Sequence, residues 1–136
     1  MIDHGETKII ETLNKINFKG GNFFKSNNKY EHYDAESLST IIEIKVRYQD
    51  YDKFIIERYK YERNIEHSLN ENRNFYYVVN YHKRLYIWDI NYLDAIGYNY
   101  LWKTKKLAKT THFRNNNEID KVVGYLEKRF CITIEL

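Results

Sequence analysis

The stretch Thr40-Ile41-Ile42-Glu43-Ile44-Lys45-Val46-Arg47 decides how the rest of the chain is read. Its β-branched residues favour an extended backbone, and successive side chains of a strand leave on opposite faces. Ile42, Ile44 and Val46 then share one face, and Glu43, Lys45 and Arg47 share the other. Residues two apart on a strand sit roughly 6 to 7 Å apart at their Cα atoms. A carboxylate and an ammonium therefore stand side by side within an isoleucine-rich strand.

The upstream sequence supplies elements that can flank this strand. Ile9, Ile10, Leu13 and Ile16 recur at helical spacing over 6–16, and Gly20-Gly21 closes that helix. Phe23-Phe24 opens an extended stretch, Ser26-Asn27-Asn28 marks a turn, and Tyr30 to Asp34 reads as a short strand. Residues 35–39 join it to the central strand, which lets Asp34 arrive beside Glu43.

Downstream, Asp50 is placed to cap a helix reaching Glu66, with Tyr51, Phe54, Ile55 and Tyr59 on one side. Asn70 to Asn74 reads as a loop and Phe75 to Tyr81 as a strand. His82-Lys83-Arg84 makes a tight turn into Leu85 to Ile90, its antiparallel partner. Residues 91–114 carry no decisive pattern. Glu118 to Phe130 has Ile119, Val122, Val123, Leu126 and Phe130 in helical register, and Ile132 to Leu136 makes a last strand. The order predicts one domain over 1–136, α/β or α+β, with a mixed central sheet flanked by helices. One helix crosses over between the strands at 40–47 and 75–81.

A chain of 136 residues can bury a core without covalent staples. Its 14 tyrosines predict a core whose edges are hydrogen-bonded. The net charge of +3 is too small to assign a polyanionic partner by itself. Its distribution says more: no acid lies between Asp94 and Glu118, and Lys103, Lys105, Lys106, Lys109 and Arg114 all fall there. A solvated loop and a phosphate-contacting surface both fit that run. The single Cys131 excludes an internal disulfide, reads as a small buried hydrophobe, and fits a reducing compartment. No apolar stretch approaches the roughly 18 residues needed to span a bilayer, and the N-terminus lacks a signal-peptide pattern. A cytoplasmic protein with no membrane partner is expected. The five histidines lack zinc-ligand spacing, and no glycine-rich phosphate loop is present. Trp88 alternates inside a strand and reads as core, whereas Trp102 is able to stack on a base.

The Glu43, Lys45 face carries the chemistry. Two converging carboxylates, Asp34 and Glu43, make an oxygen-rich site suited to Mg²⁺. Such an ion polarises a phosphodiester, and Lys45 is placed to position hydroxide and offset charge on the phosphate. Taken alone, a Glu-x-Lys pair on a strand usually marks a solvent-facing ion pair worth well under about 1 kcal/mol. The upstream acid, the helix that follows and the two later strands favour a site.

Asp34…Glu43-Ile44-Lys45 after an N-terminal helix resembles the signature of the PD-(D/E)xK nuclease superfamily. That superfamily includes restriction endonucleases, Holliday-junction resolvases and small phage and mobile-element nucleases. The resemblance implies a restriction-endonuclease-like core over 6–81: helix, Asp-bearing strand, (D/E)xK strand, helix and further strand. Residues 41–47 followed by Tyr51-Asp52 and by Ile56-Glu57-Arg58-Tyr59-Lys60-Tyr61 are similar to small phage-type members, as is Lys109-Thr110-Thr111-His112-Phe113 less specifically. It implies Asp34 and Glu43 as metal ligands, the Ile44 carbonyl as a third, and Lys45 as the catalytic lysine. The implied cofactor is Mg²⁺, with Mn²⁺ substituting, and the implied substrate is DNA, cut in the cytoplasm of a phage or mobile-element host. The sequence departs from the pattern in having Tyr33 before Asp34 and no proline anywhere.

Relatives sometimes add an acid from the first helix; Glu6 or Glu11 would serve, or is a plain surface residue. Glu57 and Lys60 either support the site or form an i,i+3 surface pair. Duplex cleavage by so small a chain implies a two-fold homodimer. Two other readings stay open: a nuclease fold that has lost its chemistry and acts as a binding or structural module, and a tyrosine-rich protein-interaction domain.

Overall fold

Among the described residues the isoleucine-rich strand sits inside a six-stranded mixed sheet, whose strands lie side by side in the order 24–25, 35–36, 40–47, 74–81, 84–89 and 132–135. The computed structural model describes residues 5–26, 32–108 and 118–136. In chain order the elements are α1 (Glu6–Lys15), β1 (Phe24–Lys25), β2 (Ala35–Glu36), β3 (Thr40–Arg47), β4 (Lys53–Glu57) and α2 (Arg58–Glu71). Then follow β5 (Asn74–Tyr81), β6 (Arg84–Asp89), α3 (Ile90–Ala95), β7 (Lys103–Ala108), β8 (Glu118–Glu127) and β9 (Ile132–Glu135). β3 and β5 are parallel from Thr40↔Asn74 to Arg47↔Tyr81, and α2 lies in the crossover between them. The β5–β6 hairpin turns through His82, whose φ of 50° fits a tight reversal.

Alternation along β3 sorts the core into two layers. Ile42 and Ile44 join Ile9, Ile10 and Leu13 of α1, with Val78 and Ile87, on one face. Ile41 joins Phe75, Tyr77, Val79 and Trp88 on the other, where Phe54, Ile56 and Leu126 of a second sheet close the layer. That second sheet has three strands in the order β4-β8-β7. The tyrosine hydroxyls reach the layer's edge: Tyr77 donates to the Ile55 carbonyl at 2.9 Å, and Tyr61 and Tyr100 both donate to Asp94 at 2.8 Å. Trp88 is fully buried and donates its indole N–H to the Glu127 carbonyl at 2.9 Å.

The structure corrects two expected helices and several boundaries. Residues 50–66 are not one helix: β4 occupies Lys53–Glu57, and α2 starts only at Arg58. Phe54 and Ile56 are buried with period two, while Tyr51 and Tyr59, which had completed the helical stripe, are 43% and 63% exposed. Residues 118–130 are not helical either; they hold β8 and a short 3-10 turn. Gly124, unfavourable inside a helix, is required here by close approach, since a Cβ would lie 2.8 Å from the Trp102 ring and Tyr100 Cβ. α2 runs through Glu71, so the loop expected at Asn70 to Asn74 shrinks to its last residues. Asp34 precedes β2 instead of ending a strand; the expected strand's residues 30 and 31 lie outside the described residues. Cys131 is half-buried, not buried. No described helix is long and apolar enough to cross a membrane.

Candidate active site

β2 pairs with β3 only at Ala35↔Ile42 and Glu36↔Ile41, so the flank of β3 beyond Ile42 is left to the residue before β2. Asp34 fills it. Its backbone N–H donates to the Ile42 carbonyl at 2.8 Å, and its Oδ2 accepts the Ile44 N–H at 2.6 Å. The N–H and C=O of a strand residue leave on the same side, so the Ile44 carbonyl also points to the Asp34 flank. Asp34 thus enters the β3 ladder through its side chain, opposite the step that separates Glu43 from Lys45.

Glu43 and Lys45 project into the aromatic layer. Glu43 is 3% exposed, with the Lys45 Nζ 3.7 Å from its Oε2. The Asn64 Nδ2 of α2 donates to Glu43 Oε1 at 3.3 Å and to the His32 carbonyl at 2.9 Å. Asn64 is fully buried, and among the described residues its Oδ1 has no hydrogen-bond partner. One side chain therefore ties Glu43 to the segment that carries Asp34. Glu57, at the end of β4, accepts from Lys121 of β8 at 3.1 Å. Lys60, one turn into α2, completes the group.

Burial sets the electrostatics. It pushes Glu43 up to about 7, against Lys45 and Lys60 and with help from the neighbouring Asp34 and Glu57 charges. Burial also raises Asp34, although the Ile44 N–H and Lys45 oppose it. Lys45 is lowered by burial and by Lys60, more than Glu43 restores. Lys60 is raised, because Glu43 and Glu57 outweigh its own burial. Burial raises Glu57 too, but Lys60 and Lys121 outweigh it and leave the carboxyl below its ordinary value. Acids and lysines gathered inside a domain cost more than apolar packing would. Opposed shifts in one cluster are a mark of functional sites as well as of structural ion networks.

The donor set fits a hard dication in kind. Asp34 and Glu43 contribute carboxylate oxygens, the Ile44 carbonyl faces the same flank, and the orphaned Asn64 Oδ1 is a further buried oxygen beside them. Among the described residues no three His, Cys, Asp or Glu side chains gather into a metal-holding group. The set is two carboxylates with neutral oxygens, which leaves coordination positions for water or substrate.

The other anticipated residues divide. Glu57 and Lys60 join Glu43 and Lys45, Glu57 having its direct ion pair with Lys121. Glu11 is exposed on α1, whose buried side packs against the opposite face of the sheet from Glu43. Glu6 is half-buried at the start of the same helix. Lys103, Lys105 and Lys106 are exposed on β7, while Lys109, His112 and Arg114 lie outside the described residues. Sequence reasoning missed Asn64 and Lys121. Glu57, Lys60 and Asn64 follow one another at helical spacing of three and four, a polar stripe that was available as a signal. Lys121 was hidden by reading β8 as a helix. No protein-family model matches the chain, and no curated protein matches it.

Proposed function

We propose that the chain is a metal-dependent nuclease of the PD-(D/E)xK type that hydrolyses DNA phosphodiester bonds, as an endonuclease or junction-resolving enzyme. The observation that carries the reading is the convergence of Asp34, Glu43 and Lys45 at one point of β3, with Asp34 bonded to the backbone of the intervening Ile44. The element order supports it. A helix, an Asp-bearing segment, the Glu-x-Lys strand, a helix and a parallel strand succeed one another, with β4 inserted before α2.

In this reading Asp34, Glu43 and the Ile44 carbonyl hold Mg²⁺ or Mn²⁺. The bound ion supplies Lewis acidity towards the phosphodiester and lowers the pKa of a bound water. Lys45, lowered by burial, stands beside the phosphate site and offsets charge there. Lys60 adds positive charge, and Asn64 fixes Glu43 relative to the Asp34 segment. An origin in a phage or mobile element, action in the host cytoplasm and a two-fold dimer on duplex DNA belong to the same proposal.

The test is incubation with supercoiled plasmid and with a branched oligonucleotide, in Mg²⁺, Mn²⁺ or EDTA, wild type beside Glu43→Ala. Metal-dependent cleavage that the variant loses is the expected result; equal cleavage by both proteins overturns the assignment. A second reading, an inactive binding module, is favoured by one feature: Glu43 is already engaged by Lys45 and Asn64. A melting temperature unmoved by Mn²⁺, with no cleavage of either substrate, would establish that alternative.

A further inference from the structure

The second sheet ends in an arm. β4 pairs with β8 only from Val123 to Glu127, whereas β7 pairs with β8 from Val123 out to Glu118. Beyond Val123 the β7–β8 ribbon is therefore two-stranded, with five further residue pairs from Thr104↔Val122 to Ala108↔Glu118. At about 3.3 Å per residue it projects roughly 16 Å. Both of its faces meet solvent: Thr104, Lys105, Lys106, Ile119, Asp120 and Val122 are all exposed. At its root the ribbon is held by the three-stranded sheet and by α2, which packs on β8.

Its charge is arranged in an unusual way. Lys105 lies directly opposite Lys121, a like-charged cross-strand pair in which Glu57, 3.1 Å from Lys121, offsets one charge and leaves Lys105 exposed to solvent. Lys106 points to the other face, where Asp120 is its cross-strand neighbour. Among the described residues neither Lys105 nor Lys106 forms an ion pair. Lysines thus line both faces of the ribbon, as a structure seated between two phosphate walls requires. The root of the arm is the Lys121–Glu57 pair at 3.1 Å, so it rises from the edge of the Glu43 cluster.

We propose that the β7–β8 ribbon is a duplex-gripping arm that enters a groove of double-helical DNA and contacts the phosphates on both sides. A B-form major groove, about 12 Å wide, admits a two-stranded ribbon. Single strands are bound by stacking bases on aromatic rings, and residues 104–107 and 119–122 contain none. The inference rests on the nuclease reading for its partner, DNA, and is tested by binding without metal, where that reading's chemistry plays no part.

The experiment is fluorescence anisotropy with a labelled duplex of about 20 base pairs and its matching single strand, in EDTA, between about 50 and 200 mM salt. Lys105→Glu/Lys106→Glu is compared with Lys8→Glu/Lys15→Glu, an equal charge change on exposed positions of α1. Circular dichroism checks that both variants fold. The arm variant should lose about tenfold or more in duplex affinity and lower the salt slope by about 2, with the α1 variant close to wild type. Wild type should prefer the duplex. Equal losses in both variants, an equal or greater preference for single strands, or no salt-dependent duplex binding by wild type would overturn the arm. Cleavage of the same duplex in Mg²⁺ is scored separately. Arm-dependent binding without cleavage removes the nuclease reading alone, and cleavage that ignores the arm variant removes the arm alone.

Discussion

The two faces of β3 are built from one octapeptide and behave as opposites. On one face Ile42 and Ile44 pack with α1 in a layer dominated by aliphatic side chains. On the other, Glu43 and Lys45 hold buried charge among aromatic rings, pinned by Asn64 and backed by Glu57 and Lys60. The first face lowers the free energy of the fold through burial, roughly 1.5 to 3 kcal/mol for each large aliphatic side chain. The second raises it by desolvating charge, and such a cost is characteristic of places where function decides the residues. A strand in the middle of a sheet suits both, because the apolar face fixes the backbone on which the polar face must be held.

Substitutions on the two faces should therefore move stability in opposite directions. Ile42→Ala, at a position with no exposure, should cost about 2 to 5 kcal/mol in denaturant unfolding. A loss under about 1 kcal/mol would mean that the aliphatic face does not anchor β3. Glu43→Gln should instead stabilise the protein by about 1 to 3 kcal/mol near pH 8. The sign follows from its raised pKa: the folded state holds this proton more tightly than the unfolded chain. The penalty of ionisation therefore appears as pH rises from 4.5 towards about 7 and is complete above that. Chemical denaturation of the two proteins across that window should show the gap opening with pH and closing below about pH 4. A gap independent of pH would deny that the Glu43 charge is the cause.

Gly124→Ala should destabilise by about 1 to 3 kcal/mol, because the new methyl meets Trp102 and Tyr100 at 2.8 Å. Thermal melts check it, and a neutral result would place those rings elsewhere. Smallest of all is Glu11→Ala, exposed on the far face, which should change stability by less than about 0.5 kcal/mol and leave cleavage intact. A clear fall in cleavage would return α1 to the site.

The contrast also explains what was legible beforehand. β3, α1 and the β5–β6 hairpin carry their own periodicity and turn chemistry, so local pattern suffices for them. β4 and β8 do not. Phe54, Ile55 and Tyr59 also fit a helical stripe, and so do Val122, Val123 and Leu126; the ladder that pairs residues 53–57 with 123–127 is long-range. Trp102 and Tyr100 closing over Gly124 belong to the same tertiary information. In the site, Glu43 and Lys45 follow from alternation, and Asp34 from the short connection into β3. Asn64 joins them only once α2 is folded over the strand, and Lys121 only once β8 is paired with β4.

As proposed, Lys45 belongs to a phosphodiester-cleaving site and not to a buried ion pair alone. Single-turnover cleavage of plasmid DNA in Mg²⁺ by Lys45→Ala, with its melting curve recorded on the same preparation, tests it most directly. The variant should still fold cooperatively and cleave at least about 100-fold more slowly than wild type. A folded Lys45→Ala protein that cleaves at the wild-type rate would contradict it.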